Sequence, residues 1–253
     1  MFKSHKLLVH AKYHRKSPNF TRMCYSISNT SQLQAFKERY KREMERKNAY
    51  QPTFFASGFD FPRWPVVTQK PQFEWMQWGL LPHWLKLDHS SDFATHTLNA
   101  RVESLHEKPS FKHLVGQQPC LIPVTSFYEY QTVGKEKIPY RIFAKDMPVF
   151  SIAGLWDTWT HPLTGASTTS FTLITTEANP LMTEIHNSQK RMPLLVDPSQ
   201  EKTWLETGDP QVISAISNDF LAATRVNKRS MGKNSPDILL PYIPETPAQG
   251  RLF

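Results

Sequence analysis

Apolar residues along the chain recur mainly at strand spacing, and one helical repeat lies near the start. Leu33, Phe36, Tyr40 and Met44 follow one another at intervals of three or four residues, which predicts an amphipathic helix over residues 31–48. The exposed positions of this helix mix both signs of charge, as a solvated helix face does. Runs of β-type composition dominate the middle of the chain, at residues 73–78, 119–130, 139–144, 148–153, 170–176 and 192–196.

Two more helices are predicted after the last of these strands, over residues 198–206 and 210–223. The chain has 20 prolines against 9 glycines, which indicates many rigid loop corners. No repeat or long linker is evident in its 253 residues. The pattern predicts a single α+β domain over residues 23–244, with a β-rich, barrel-like core of mostly antiparallel strands and peripheral helices, and a frayed tail over residues 245–253.

Composition excludes several classes of protein. With 39% hydrophobic and 12% aromatic residues, the chain can bury too much apolar surface to be disordered throughout. Its apolar runs fall short of the roughly 18 residues that span a bilayer, so no membrane segment or membrane partner is expected. The two cysteines, Cys24 and Cys120, exclude a disulfide framework and a four-thiolate zinc site. A reducing, intracellular compartment is therefore expected. A monomer is also expected.

The positive charge of the chain is concentrated at its start. The formal net charge is +8, but residues 1–22 hold six cations and no acidic residue, which leaves 24 basic against 22 acidic residues, or +2, in the remainder. This basic leader has too short an apolar stretch for a secretory signal. It is interpreted as an organellar targeting segment, a flexible basic arm, or translated sequence upstream of a start at Met23. A binding site for a polyanion must then come from a local cluster.

Reactive residues are concentrated in a few segments: Met23-Cys24, LNARVES at 98–104, SFYEY at 126–130 and EIHNSQKRMP at 184–193. Together with WGLLPHW at 78–84 and CLIPVTSFYEY at 120–130, they resemble, in the same order, the SOS-response-associated peptidase (SRAP) domain family of the YedK/HMCES type. Members of that family often begin Met-Cys-Gly-Arg, whereas this chain continues with Tyr25 and Ser26. The resemblance covers nearly the whole chain after Met23.

The resemblance implies a function and a set of catalytic residues. In this family the initiator Met is removed, the Cys becomes the N-terminus, and a covalent link forms with abasic sites in DNA. The matching positions here are Cys24, Asn99, Glu129 and His186. The expected activity is crosslinking to abasic sites in single-stranded DNA, with autoproteolytic or aminopeptidase exposure of Cys24 and lyase-like chemistry, in the cytoplasm or associated with the nucleoid. The crosslinking chemistry requires a free amine on Cys24, and this favours a start at Met23.

The chemistry of Cys24 supports this interpretation, because a cysteine with a free α-amine is a 1,2-aminothiol. Its amine, with a pKa of about 7.7 to 8.0, is partly unprotonated near neutral pH and attacks an aldehyde to give an imine. The thiol then closes on the imine carbon to form a five-membered thiazolidine, which resists hydrolysis better than an open Schiff base. The alternative is that Cys24 is a small buried hydrophobic residue.

Three further residues have chemical roles under the same hypothesis. Glu129 follows the apolar pair Phe127-Tyr128, so burial is expected to raise its pKa into the range useful for proton transfer. His186 can protonate the sugar ring oxygen and favour the aldehyde. Asn99 can orient the Cys24 amine without protonating it. The alternatives are a solvent-facing strand carboxylate, a structural histidine and a helix cap, respectively.

Predicted DNA contacts lie outside this group. Arg101 is placed to grip a phosphate two residues from Asn99, and Trp84 offers a stacking face for a base, although core packing is an equal alternative for it. The loop RVNKRSMGK at 225–233 contains Lys228 and Arg229 and is expected to follow the DNA backbone. The alternative is a solvated loop that does not contact DNA. Arg191, in the segment EIHNSQKRMP, is also expected to contact DNA.

Two other functions remain open. A thiol peptidase would use Cys24 as nucleophile and His186 as base, and a noncatalytic single-strand binder would use Arg101, Trp84 and the basic loop. No P-loop, dinucleotide-binding turn or zinc-ligand pair is present in the sequence, so neither a cofactor nor a metal is expected.

Overall fold

The computed structural model of the protein describes residues 24–45, 50–86 and 90–244. The four α-helices of these residues are α1 (Leu33–Tyr40), α2 (Ser90–His96), α3 (Pro180–Ile185) and α4 (Glu201–Thr207). The thirteen strands are β1 (Ser26–Asn29), β2 (Thr53–Ser57), β3 (Arg63–Val66), β4 (Glu74–Trp78), β5 (Asn99–Arg101), β6 (Pro119–Val124), β7 (Ser126–Val133), β8 (Glu136–Ala144), β9 (Phe150–Thr160), β10 (Ser167–Glu177), β11 (Arg191–Pro193), β12 (Leu195–Val196) and β13 (Leu221–Arg225). No helix among the described residues is long and apolar enough to cross a membrane.

The strands form two sheets. The first sheet is antiparallel and has the order β13-β8-β7-β1-β2. The second has the order β12-β9-β10-β4-β3, with β6 paired to β9 and both β5 and β11 paired to β10. The pairs of β10 with β4 and with β5 are parallel, and its pairs with β9 and β11 are antiparallel.

Alternation along the strands of the second sheet produces two core layers. Side chains of successive strand residues point to opposite faces. In β10, Phe171 and Leu173 pack with residues of the first sheet such as Phe127, whereas Ile174 packs on the other face with Phe36 of α1 and Trp204 of α4. The second sheet therefore lies between the first sheet and these two helices.

The predicted fold class is confirmed. The chain is α+β and β-rich, its strands are largely antiparallel, and its helices lie at the periphery. The strands form two packed sheets that do not close into a barrel, because β13 and β2 remain at the two ends of the first sheet.

The predicted run at residues 119–130 is one continuous β segment that changes sheet. Its first half, β6, pairs with β9 in the second sheet, and its second half, β7, pairs with β1 and β8 in the first. The change occurs at Thr125, whose backbone N–H donates to the Ser28 carbonyl at 2.8 Å and whose hydroxyl accepts from the Thr30 N–H at 3.1 Å. Thr125 thus joins the two sheets immediately before β7, the strand that carries Glu129.

Two predicted helices differ from the structure. The helix expected over residues 31–48 is the shorter α1, because Lys41 adopts a left-handed conformation with φ 50°, and Glu43 then forms a bridge with Gln72. The helix expected over residues 210–223 was wrong. Only Pro210–Val212 form a 3-10 turn, and the segment ends in β13, which pairs with β8 from Leu221 to Arg225. Pairing with the otherwise open edge of β8 outweighs the local helical pattern.

The predicted basic leader over residues 1–22, the proposed start at Met23 and the tail over residues 245–253 lie outside the described residues. The domain boundaries based on them stay predictions.

Candidate active site

Cys24 is held by Asn99. The Asn99 Nδ2 donates to the Cys24 carbonyl at 2.9 Å, and both residues are buried. Asn99 is the first residue of β5 and pairs with Leu173 of β10, which fixes its position. The Oδ1 of Asn99 is buried and has no hydrogen-bond partner in the described part of the chain. The acceptor oxygen of this amide therefore remains available beside Cys24.

The environment of Cys24 keeps its sulfur protonated. Burial raises the pKa of the Cys24 thiol well above its ordinary value, and Glu129, when ionised, acts in the same direction, while a hydrogen bond from the Ser26 backbone acts against both. A thiolate nucleophile needs the opposite surroundings, with positive charge or a helix N-terminus nearby. At rest, Cys24 is a neutral thiol.

Glu129 is a buried carboxyl group on β7, 3% exposed, as the sequence predicts. Burial raises its pKa well above the ordinary value, against smaller opposite effects of the Tyr130 backbone and Lys137. One of its oxygens, Oε1, is buried without a hydrogen-bond partner among the described residues. Glu129 therefore combines a raised pKa with an oxygen that has no hydrogen-bond partner among the described residues, and both properties suit a proton-transfer group.

His186 ends helix α3 and faces Glu129. Asn179 caps this helix by accepting from the Met182 N–H at 2.9 Å, and the His186 N–H donates to the Met182 carbonyl at 2.7 Å. The His186 Nδ1 lies 2.9 Å from the Arg191 carbonyl. Because a carbonyl oxygen only accepts, Nδ1 carries a hydrogen, and this assigns the tautomer.

The Nε2 of His186 points at the carboxyl group of Glu129. The distance from Nε2 to Oε2 of Glu129 is 3.9 Å, and both side chains are almost fully buried. This separation is too long for a direct hydrogen bond. A reacting atom that lies beside both groups can therefore exchange a proton with each of them.

The loop after α3 is pinned to the strand of Glu129. The side chain of Asn187 makes two hydrogen bonds with the backbone of Thr132, accepting from its N–H at 3.0 Å and donating to its carbonyl at 2.9 Å. Gln131 also donates to the Glu184 carbonyl at 3.3 Å. These bonds fix the distance between β7 and the helix end, and hence between Glu129 and His186.

A cleft opens beside Glu129 between the first sheet and the basic loop. Its walls are largely aromatic, and its lining residues are Tyr25, Ser26, Phe55, Ser57, Phe59, Asp60, Tyr128, Glu129, Tyr130, Met231 and Gly232. The rings of Tyr25 and Phe59 are 4.7 Å apart. The last two lining residues come from the predicted basic loop. Flat aromatic walls beside a basic loop suit a nucleotide.

Tyr25 is a site residue that the sequence analysis missed. Burial raises the pKa of its hydroxyl, and a hydrogen bond with the Asn99 side chain and the positive charge of Arg101 act in the opposite direction. Tyr25 thus links Asn99, Arg101 and the cleft. Its position next to Cys24 was the one signal available, because nothing else in the sequence places it beside Asn99.

The predicted DNA contacts occupy different environments. Arg101 ends β5 and is exposed, on the same side of the strand as Asn99. Arg191 is half-buried and bonded to Glu103, and its Nη2 also donates to the Thr175 carbonyl at 2.8 Å. The backbone of Arg191 holds His186, so its role in positioning the site is evident, whereas its contact with DNA stays a prediction.

The remaining predicted contacts lie on the surface. Lys228 and Arg229 are exposed in a 3-10 turn, two residues before the part of the loop that lines the cleft. Trp84 is 44% exposed and packs edge to face on Phe93 at 5.8 Å, and it does not line the cleft. Trp78, in contrast, is fully buried and donates to the Leu98 carbonyl. The structure thus brings together Cys24 with Asn99 and Glu129 with His186, while Trp84 lies apart.

The chain belongs to the SRAP family. The sequence profile described as "SOS response associated peptidase (SRAP)" matches residues 23–231, which is most of the chain.

The relatives of the chain are bacterial and eukaryotic. It is 36% identical over 173 residues to "Abasic site processing protein YoqW" of Bacillus subtilis, covering 65% of this chain and 74% of that protein. It is 31% identical over 160 residues to "Abasic site processing protein HMCES" of Xenopus tropicalis, covering 56% of this chain and 47% of that protein. A crystal structure of a Bacteroides thetaiotaomicron protein superposes with a TM-score of 0.83 at 28% identity, over 87% of this chain and all of that one.

The raised pKa of Glu129 predicts a pH dependence of stability. Between the ordinary carboxyl pKa of about 4.3 and the raised folded-state pKa, the folded protein binds a proton that the unfolded chain has released. The free energy of unfolding should therefore fall with rising pH by up to about 1.4 kcal/mol per pH unit from this group. Glu129→Gln removes this slope, so the variant should gain stability relative to the wild type as pH rises through that window.

Urea unfolding of both proteins at several pH values measures this difference. Glu136→Gln, which alters an exposed carboxylate on the neighbouring strand, is the matched control and should leave the pH profile unchanged. Parallel profiles of the wild type and Glu129→Gln would show that Glu129 is already ionised at the lower end of the window.

Proposed function

We propose that this protein processes abasic sites in single-stranded DNA by forming a covalent thiazolidine link through Cys24. The names of its relatives give the substrate class. The observation that carries the proposal is the hydrogen bond from Asn99 to Cys24, together with the buried carboxyl group of Glu129 close enough to act on the Cys24 thiol. Two buried oxygens, Oδ1 of Asn99 and Oε1 of Glu129, have no partner among the described residues, and they supply an acceptor for an amine and a proton donor for an oxygen.

The first chemical step joins the Cys24 amine to the aldehyde carbon of the ring-opened abasic sugar. The attacking nitrogen loses one proton and the aldehyde oxygen takes one up, so that a neutral carbinolamine forms. Asn99 holds the Cys24 carbonyl through Nδ2 at 2.9 Å, and its free Oδ1 accepts from the amine and orients the nitrogen lone pair towards the aldehyde. His186, when protonated, donates to the sugar ring oxygen and favours the open form.

Glu129 then acts first as an acid and afterwards as a base. Its retained proton passes to the hydroxyl of the carbinolamine, which leaves as water, and an iminium ion remains. The Cys24 sulfur adds to the iminium carbon, and the thiol proton passes to the Glu129 carboxylate. One amine, one thiol and one aldehyde thus give a thiazolidine and one water, and Glu129 regains its starting state. This sequence uses a neutral thiol, which agrees with the raised pKa of Cys24.

The cleft and the basic loop provide the binding surface for DNA in this proposal. Bases stack on the aromatic walls formed by Tyr25 and Phe59, with about 1 to 3 kcal/mol for each stacked base. Arg101 grips a phosphate beside the reacting sugar, and Lys228 and Arg229 track the backbone. Arg191 and Trp84 lie outside the cleft and are proposed as further DNA contacts.

The thiol is the first test of the mechanism. Native protein should begin Cys-Tyr-Ser-Ile, because an amine locked in the Met23-Cys24 peptide bond cannot form an imine. Its intact mass should rise on incubation with an abasic oligonucleotide by the mass of that oligonucleotide less one water. Cys24→Ser should abolish the stable adduct, because an oxazolidine hydrolyses readily, while noncovalent affinity for DNA stays within about threefold.

Cys120→Ala is the matched control, since it removes the other buried cysteine and should crosslink normally. Native protein that retains Met1 and still crosslinks abasic DNA would overturn the mechanism.

Arg101 is the test of DNA binding. Arg101→Ala should weaken noncovalent binding and lower the slope of log affinity against log salt concentration by about 1, because one phosphate contact is lost. Lys202→Ala changes the charge equally, on α4 at the opposite face of the second sheet, and should leave the slope unchanged. Equal slopes for Arg101→Ala and the wild type would remove Arg101 from the DNA interface.

Proton transfer distinguishes this mechanism from a thiol peptidase. A general acid or base contributes about 10² to 10⁴ in rate, so Glu129→Gln and His186→Ala should each slow single-turnover adduct formation by that order. A peptidase that uses His186 as base would tolerate Glu129→Gln. Asp60→Asn, at the other carboxyl group of the cleft, is the control and should react normally.

Circular dichroism of each variant checks the fold. If Glu129 and His186 serve one step, the double variant Glu129→Gln/His186→Ala should react little more slowly than the slower single variant. Wild-type rates in Glu129→Gln would withdraw its acid-base role.

A further inference from the structure

Three side chains with metal-ligating atoms converge at a second place in the molecule. His83 lies in the turn after β4, His113 in the turns before β6, and Asp157 in β9. The ligand atoms of these three residues lie within 4.8 Å of one another. None of the four candidate catalytic residues belongs to this group, so its chemistry is separate from that of the proposed crosslinking site.

The carboxylate of Asp157 is held in a fixed orientation. Asp157 is buried, and its strand pairs with β10 at Ser170. Its Oδ1 accepts from the Thr158 N–H at 2.8 Å, and its Oδ2 accepts from the His83 N–H at 2.9 Å. Such outer hydrogen bonds orient the ligands of metal sites and raise metal affinity.

The two imidazoles approach the same carboxylate oxygen. The Nδ1 of His83 lies 3.0 Å from Oδ2 of Asp157, and the Nε2 of His113 lies 3.7 Å from it. The Nε2 of His113 is buried and has no hydrogen-bond partner within the described ranges. A buried polar nitrogen without a partner is costly, and a cation between these atoms would satisfy it.

The donor set and its spacing select the class of ion. Bonds of about 2.0 to 2.2 Å in a tetrahedral zinc site place neighbouring ligand atoms roughly 3.3 to 3.5 Å apart. The distances from Oδ2 of Asp157 to the two imidazole nitrogens, 3.0 Å and 3.7 Å, lie on either side of this range. Magnesium and calcium prefer six or more oxygen ligands, whereas two imidazoles with one carboxylate suit first-row transition metals. His83 is more than half exposed and is therefore free to adjust.

We propose that His83, His113 and Asp157 bind one transition-metal ion of the Zn²⁺ type, with a fourth coordination position open to solvent. Binding through the lone pair of the His83 Nδ1 places the single hydrogen of the neutral imidazole on Nε2, so that the ion takes the place of the hydrogen between Nδ1 and Asp157. The ion would tie the turn of His83 and Trp84 to β9 and to the His113 segment. This proposal departs from the expectation that no metal binds. Nothing in the sequence indicated such a site, because the three ligands come from distant segments and have no ligand spacing.

Zinc binding to the full protein tests the proposal. Zn²⁺ is titrated against a chromophoric chelator, and Co²⁺ serves as a second probe because its visible absorption reports tetrahedral coordination. We expect one ion per chain, and at least about a tenfold loss of affinity in each of His83→Ala and His113→Ala. The Co²⁺ spectrum should disappear in both variants.

His106→Ala is the matched control, because it removes an exposed histidine from the segment that also carries His113. It should bind Zn²⁺ as the wild type does. The proposal fails if the wild type does not bind Zn²⁺, or if His83→Ala and His113→Ala, folded by circular dichroism, bind it with wild-type affinity. Loss of binding in Cys24→Ser instead would place the ion at the crosslinking site and would equally overturn it.

Discussion

Backbone N–H and C=O groups in a buried strand must find partners, and β10 meets this demand with four other strands. It pairs with β9 and β11 in antiparallel fashion and with β4 and β5 in parallel fashion. The parallel pair with β5 places Asn99, and the pair with β11 places Arg191, whose carbonyl orients His186. Much of the candidate site is therefore a consequence of how one strand satisfies its hydrogen bonds.

The low dielectric of the interior gives the same residues their chemistry. Glu129 and Cys24 are both buried, and burial is the largest cause of the raised pKa of each. A carboxyl group and a thiol that both keep their protons form a poor hydrolytic pair, because hydrolysis by a thiol begins with a thiolate. They form a suitable pair for condensation with an aldehyde, in which protons are handed on in sequence.

The sequence predicted the features that depend on local pattern. Glu129 lies in a run of apolar strand residues, so its burial followed from its neighbours, and the fold class followed from the number of short β-type runs. The contact between Asn99 and Cys24 joins residues 75 positions apart, and only the resemblance to a family brought them together in advance. Strand β5 has three residues, too few for any periodicity to be detected.

Other failures arose where tertiary pairing outweighs local preference. The segment before β13 has helical spacing, but the open edge of β8 draws its end into a strand. The metal-ligand group of His83, His113 and Asp157 has no signal in the sequence, because its members meet through the packing of two turns on β9. Neither result follows from a window of neighbouring residues.

The burial of Cys24 also bears on how the protein survives oxidants. Peroxide and disulfides react with thiolates much faster than with thiols, and Cys24 is 2% exposed, with its thiol protonated at rest. The sulfur that forms the crosslink in the proposed mechanism is thus shielded from oxidants. Under the proposed mechanism, the sulfur of Cys24 then stays intact until an aldehyde reaches it.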